Sequence, residues 1–160
     1  MQMRLKKTLK RLTNWLHKVD ISLRFSLRTS FLDISPKSRH QKNHLWIVCS
    51  DPAQCSENIL LLKSNTWKNK PGVFGHCLLR PGDHEFINRK SYINYNDERL
   101  HSLSTLKRKD KEGRFTPKED VSVKILKRIH KGARQSPFLS YEATELLKDQ
   151  GFIWGYTSLK

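Results

Sequence analysis

The chain has 160 residues, enough for one domain of ordinary size or a domain of about 120 residues with a basic extension, and too few for a large multidomain enzyme. Lys and Arg number 31 against 15 Asp and Glu, a formal charge of +16, which excludes an acidic surface and points to a polyanionic or acidic partner. Hydrophobic residues make up 36%, above low-complexity disorder and enough for one modest core.

The longest apolar run, residues 45–49, falls far short of the roughly twenty residues that span a bilayer, so no integral membrane segment is expected. Residues 1–19 interrupt their leucines with Lys and Arg, which predicts no secretory signal, although an acid-poor amphipathic start with Asp20 as its first acid also resembles an organellar transit peptide. Three cysteines, Cys49, Cys55 and Cys77, at irregular spacing predict reduced thiols and a cytoplasmic chain.

Net charge divides the chain: +9 over residues 1–43, +1 over 44–99 and +6 over 100–160. Short apolar runs of β-branched and aromatic residues, such as Trp46-Ile47-Val48, cluster in the near-neutral centre. Three regions are therefore expected: a basic amphipathic N-terminal helix and linker at 1–43, a β core at 44–115, and C-terminal helices packing on it at 116–160.

In chain order, Leu5, Leu9, Leu12, Leu16 and Val19 recur at helical spacing and predict an amphipathic helix. Residues 21–27 alternate apolar and polar in the manner of a strand, and Pro36 with the polar stretch 37–43 marks a linker. Strands are expected at 45–50, 59–62, 77–79 and 91–95, with 63–66 as a polar exit, 67–75 as a loop and Pro81-Gly82-Asp83 as a turn. Thr116-Pro117-Lys118-Glu119 carries a capping box with Pro at the first helical position and predicts a helix to about Lys131, stopped by Gly132. Ser140 is expected to cap a last helix through Leu147, ended by Gly151. Short strands between turns, without βαβ spacing, predict a mainly β chain with flanking helices (α+β), built on a small antiparallel barrel.

The densest polar group is the turn Arg80-Pro81-Gly82-Asp83-His84-Glu85. There His84 has the chemistry of a general acid or base, Asp83 that of its orienting partner, and Arg80 that of a phosphate clamp. The same residues also suit a turn that Asp83 caps and His84 fixes by hydrogen bonding. Lys63, Lys68, Arg89, Lys90, Lys107, Arg108 and Lys109 are candidate phosphate contacts, with Trp46, Trp67, Tyr92 and Tyr95 as stacking or core aromatics. Cys49, Cys55, His76, Cys77 and His84 lack the paired spacing of a zinc site, and no phosphate-binding glycine loop is present, so neither metal nor cofactor is expected.

The runs His44-Leu45-Trp46-Ile47-Val48-Cys49-Ser50-Asp51, Asn58-Ile59-Leu60-Leu61-Leu62-Lys63-Ser64-Asn65-Thr66, Cys77-Leu78-Leu79-Arg80-Pro81-Gly82-Asp83-His84-Glu85-Phe86-Ile87 and Ser91-Tyr92-Ile93-Asn94-Tyr95 resemble the PemK/MazF-like toxins of bacterial toxin–antitoxin systems. The resemblance covers residues 44–100 and implies an SH3-like barrel, metal-independent cleavage of single-stranded RNA, an acidic antitoxin partner and a homodimer as the candidate assembly. It also implies that Ser64 and Thr66 lie near the scissile phosphate. Asn43-His44 stands where the family has an Arg-Pro pair, which makes His44 the candidate acid or base at that place. Beside this toxin-like endoribonuclease stand two other readings: a non-catalytic nucleic-acid-binding or regulatory module on the same barrel, and an interaction protein whose N-terminal helix docks on an acidic partner.

Overall fold

The computed structural model of the protein describes residues 23–34, 43–69 and 77–154. The helix expected at 5–19 and the linker at 37–42 lie outside these residues. Six strands, β1 (Ser30–Asp33), β2 (Leu45–Val48), β3 (Ile59–Thr66), β4 (Leu78–Leu79), β5 (Ser91–His101) and β6 (Phe115–Lys118), form one sheet in the order β4-β5-β3-β2-β1-β6. Every pairing is antiparallel, and the sheet curls into a half-barrel. Three helices accompany it: α1 (Leu103–Lys111), α2 (Val123–Gln135) and α3 (Tyr141–Asp149). The chain is thus mostly β in an α+β arrangement, and its sheet takes a strand from before residue 44.

Strand alternation sorts the apolar residues onto two faces. Leu45, Ile47, Leu60, Leu62 and Ile93 meet Ile125, Ile129 and Ala133 of α2 and Ala143 and Leu147 of α3 in one core. Trp46, Val48, Ile59 and Leu61 form a second with Phe25, Phe31, Phe115 and Leu106 of α1. Because both faces are covered, β2 is buried along its whole length and reads as a continuous apolar run. Along β3 and β5 the register changes: between Leu61↔Arg99 and Lys63↔Asn94 the extra residues fall on β5, a bulge that bends the strand and helps the sheet curl.

Four local expectations are corrected. Residues 23–27 are not a strand, because Thr29 N–H donates to the Ser26 carbonyl (3.0 Å) and Ser26 N–H to Thr29 Oγ1 (2.9 Å), closing a turn. Arg28 then takes a left-handed φ of +77°, held by its N–H on the Val48 carbonyl (3.0 Å), and β1 follows. The polar exit of 63–66 is not an exit: β3 continues through Thr66 against β5. The helix placed at 116–131 begins instead at Val123, where Ser122 Oγ accepts from the Ile125 N–H (3.2 Å).

Residues 115–118 pair with β1 because Phe115 packs edge to face on Phe25 and tilted against Phe31, and Pro117 is tolerated since β6 is an edge strand that needs no donor on its outer side. Gly132 does not stop α2, which runs to Gln135 and ends ahead of Ser136-Pro137. The last helix follows the expected signals: Ser140 Oγ accepts from the Ala143 N–H (3.1 Å), and Gly151, at φ +75°, supplies the left-handed residue after it. No helix among the described residues is long and apolar enough to cross a membrane.

Candidate nucleic-acid interface

The strand ends on one side of the sheet frame a groove of about 800 Å³. His44 precedes β2, Ser64 and Thr66 end β3, Lys68 follows it, Arg89 precedes β5 with Tyr92 on that strand, and Lys118 reaches in from the end of β6. Their neighbourhood is set by the ladder: Ser64 pairs with Ile93, Asn65 with Tyr92 and Thr66 with Ser91. His44 Nδ1 lies 3.2 Å from the Ser64 carbonyl oxygen, an acceptor only, so Nδ1–H donates and the ring is oriented at the groove wall. Ser64 itself is buried, whereas Thr66 is exposed.

The groove carries three cations, Lys68, Arg89 and Lys118, against one carboxylate, Glu85, among its described lining. That carboxylate is already engaged: Glu85 Oε1 accepts from the Glu119 N–H (2.9 Å) and Glu119 Oε1 from the Glu85 N–H (2.6 Å). Beside it, Trp67 meets Tyr92 edge to face at 5.8 Å between centroids, and Lys90 Nζ sits 5.3 Å over the Trp67 ring. Asn65 Nδ2 donates to Tyr92 Oη (3.3 Å) and fixes that ring from the neighbouring strand. A cationic groove edged by aromatic rings has the two features that hold a single strand: attraction for the backbone and flat faces for bases.

His84, Asp83 and Arg80 lie on the turn after β4, outside this lining, and each has a structural partner. His84 is buried at 5% exposure. Its Nδ1 accepts from the Phe86 N–H (3.1 Å), so the proton is on Nε2, which donates to the Glu119 carbonyl (2.9 Å) beside Ser30 Oγ (3.0 Å). Asp83 Oδ2 accepts from the Arg80 N–H (2.8 Å) and from Arg128 Nη1 (3.2 Å), which ties the turn to α2. The Arg80 side chain is exposed. This is the capped, hydrogen-bonded turn that the same residue types also suited.

The basic candidates are divided as well. Lys68 and Arg89 line the groove and Lys90 flanks it, but Lys63 pairs with Asp97 and lies 5.6 Å over Trp46. Lys107, Arg108 and Lys109 lie on α1, whose Leu106 packs in the second core, and Arg108 pairs with Glu112 at 2.9 Å. Lys118 is the groove residue that sequence reasoning missed. Its signal was the alternation Phe115-Thr116-Pro117-Lys118, masked by a capping box that the tertiary fold does not use.

Cys49 and Cys77 are buried in the first core, and burial pushes the Cys49 thiol far up and the Cys77 thiol up to about 11. Among the described residues no three His, Cys, Asp or Glu side chains are arranged to hold a metal ion. No protein-family model matches the chain, and no curated protein matches it.

Proposed function

We propose that the protein binds single-stranded RNA in the groove between the end of β3, the start of β5 and Lys118. The observation that supports this reading is the pairing of three groove cations with the Trp67–Tyr92 platform, on a chain whose overall charge is +16. Phosphates run along Lys68, Arg89 and Lys118, and one or two bases stack at Tyr92. On this reading the half-barrel is a variant of the SH3-like barrel of the PemK/MazF-like toxins, acting in the cytoplasm, and an acidic antitoxin-like protein would compete for the same cations.

Cleavage is the second reading, and His44 favours it. It is the one imidazole on the groove's described lining, it is oriented by Ser64, and Arg89 and Lys68 stand on the same wall to stabilise a pentacovalent phosphate. Metal-free cleavage would use the RNA 2′-hydroxyl as nucleophile: the hydroxyl gives its proton to a base, its new bond to phosphorus displaces the 5′-oxygen, which takes up a proton, and a 2′,3′-cyclic phosphate remains.

The test is fluorescence anisotropy of labelled single-stranded RNA over a salt series, followed by incubation in EDTA and end-group analysis. Binding that falls steeply with salt and weakens in Arg89→Ala supports the groove. Binding that is absent, or indifferent to Arg89→Ala, Lys68→Ala and Tyr92→Ala together, removes it. Cyclic phosphate ends that disappear in His44→Ala establish the second reading; intact RNA leaves the binding module.

A further inference from the structure

A second group of cations surrounds Asp33, at the far end of β1 from the turn that precedes it. Asp33 is 10% exposed in its side chain and accepts from Arg99 Nη1 (3.2 Å) and from Arg114 Nη2 (3.2 Å). The two guanidinium groups come from different elements, β5 and the residue before β6. Arg99 reaches Asp33 by lying over the Trp46 ring, 4.2 Å from its centroid, so its plane is held by a stack as well as by a charge.

Arg99 and Arg114 pair with the single carboxylate of Asp33, and Lys109 of α1 and His101, the last residue of β5, lie within electrostatic reach of all three. The neighbouring carboxylates are engaged elsewhere, Asp97 by Lys63 and Asp110 by the Leu23 N–H at 2.6 Å. Two further observations show that negative charge is short here. Arg114 Nε is buried and has no acceptor among the described residues. Burial and then the adjacent cations hold both Lys109 and His101 below their ordinary proton affinities. Arg99 is 41% exposed, so a ligand can reach the group from solvent.

We propose that this group is an anion site that takes a phosphate group, gripped by Arg99, Arg114 and Lys109, with Asp33 setting the guanidinium planes. Planar guanidinium donors match phosphate oxygens in pairs, and the excess of cations over carboxylates supplies the attraction. His101, beside the bound anion, reports on it without being needed to hold it. The site is independent of the groove reading, because it shares no residue with the groove. Two sources supply such a phosphate, a free group and a nucleic-acid backbone, and they share this chemistry.

The full chain is titrated by NMR through the His101 ring signals, in chloride and in inorganic phosphate at equal ionic strength. Phosphate is expected to raise the proton affinity of His101 about tenfold, the effect of an opposite charge a few ångströms away, and to leave His130 unmoved. Lys109→Gln and Arg99→Gln should each reduce that effect. An unchanged His101 titration, or a shift that survives both substitutions undiminished, overturns the proposal. A short single-stranded RNA then identifies the source. A His101 response to RNA assigns the site to backbone phosphates, and a response to inorganic phosphate alone assigns it to a free phosphate group. RNA that fails to bind anywhere removes the groove reading and leaves a phosphate response at His101 standing.

Discussion

His84 and Glu119 join two strands that the ladder leaves apart. Strands β4 and β6 are the opposite edges of the sheet, yet His84, five residues beyond Leu79 of β4, donates from Nε2 to the carbonyl of Glu119, which follows β6. Glu85 and Glu119 then exchange carboxylate-to-amide bonds in both directions. Side chains therefore bridge the two edges near the ends of β4 and β6, where backbone pairing stops.

Replacing His84 by Ala is expected to destabilise the fold by about 1–3 kcal/mol, since it strips the Phe86 N–H of its acceptor and the Glu119 carbonyl of a donor. Urea denaturation measures it. RNA affinity in native buffer should be retained. Unchanged stability together with lost RNA cleavage would move His84 from the architecture to the chemistry.

The groove cations and the aromatic platform should separate in a salt series. Arg89→Ala and Lys68→Ala are each expected to lower the slope of log affinity against log salt by about 0.7, the value for one phosphate contact on a single strand. Tyr92→Ala is expected to cost about 1–3 kcal/mol with the slope unchanged, as loss of one stacked base would. Lys107→Ala, on α1, serves as a control that should alter neither quantity.

Acid should destabilise the protein earlier than its carboxylates require. His130 is buried, stacks on Phe152 at 4.5 Å and donates from Nε2 to the Cys49 carbonyl at 2.7 Å; burial lowers its proton affinity, and the Cys49 bond only partly opposes this. His101 is shifted the same way, by burial and then by Lys109 and Arg99. The unfolded chain therefore binds more protons than the folded one just below the ordinary histidine value. Stability from the neutral rings is full above about pH 6.5 and is lost as pH falls through their folded values. Midpoints of urea unfolding should be level between pH 7 and 8 and decline below about 6.5; a level profile down to pH 5 would contradict the burial of His130.

Thiol labelling should distinguish the three cysteines. Cys49 and Cys77 are buried with raised thiol values, whereas Cys55 is partly exposed after β2. One thiol per chain should react with an aromatic disulfide reagent in native buffer at pH 8, and three in denaturant. Cys55→Ser should abolish the native reaction.

The elements that sequence alone located are those whose signals are local. Residues 45–48 are apolar without interruption and bounded by Asp51-Pro52, so a buried strand is the outcome wherever they lie. Ser140 and Gly151 bracket α3 through bonds that close within a few residues. At 103–111 only Leu103 and Leu106 are apolar, too few for periodicity to announce α1, which depends on packing Leu106 under Trp46 and Phe115. The capping box at 116–119 is the opposite case, a strong local signal overridden because Phe115 gains the aromatic cluster of Phe25 and Phe31 only if its neighbours pair with β1.

The candidate site divides along the same line. His44, Ser64 and Thr66 entered through the family resemblance, and Lys68 and Arg89 as basic residues of the chain; the structure places all five on one groove. Charge and composition determined a cationic surface over a modest β core, since both follow from residue counts and short-range alternation. Only the tertiary structure decided which cations share a groove, that Lys118 joins them, that His84 bridges the two edges of the sheet, and that Arg99 and Arg114 meet at Asp33. Those relations connect residues dozens of positions apart, and they exist because a curled sheet brings its two edges together, which no local spacing encodes.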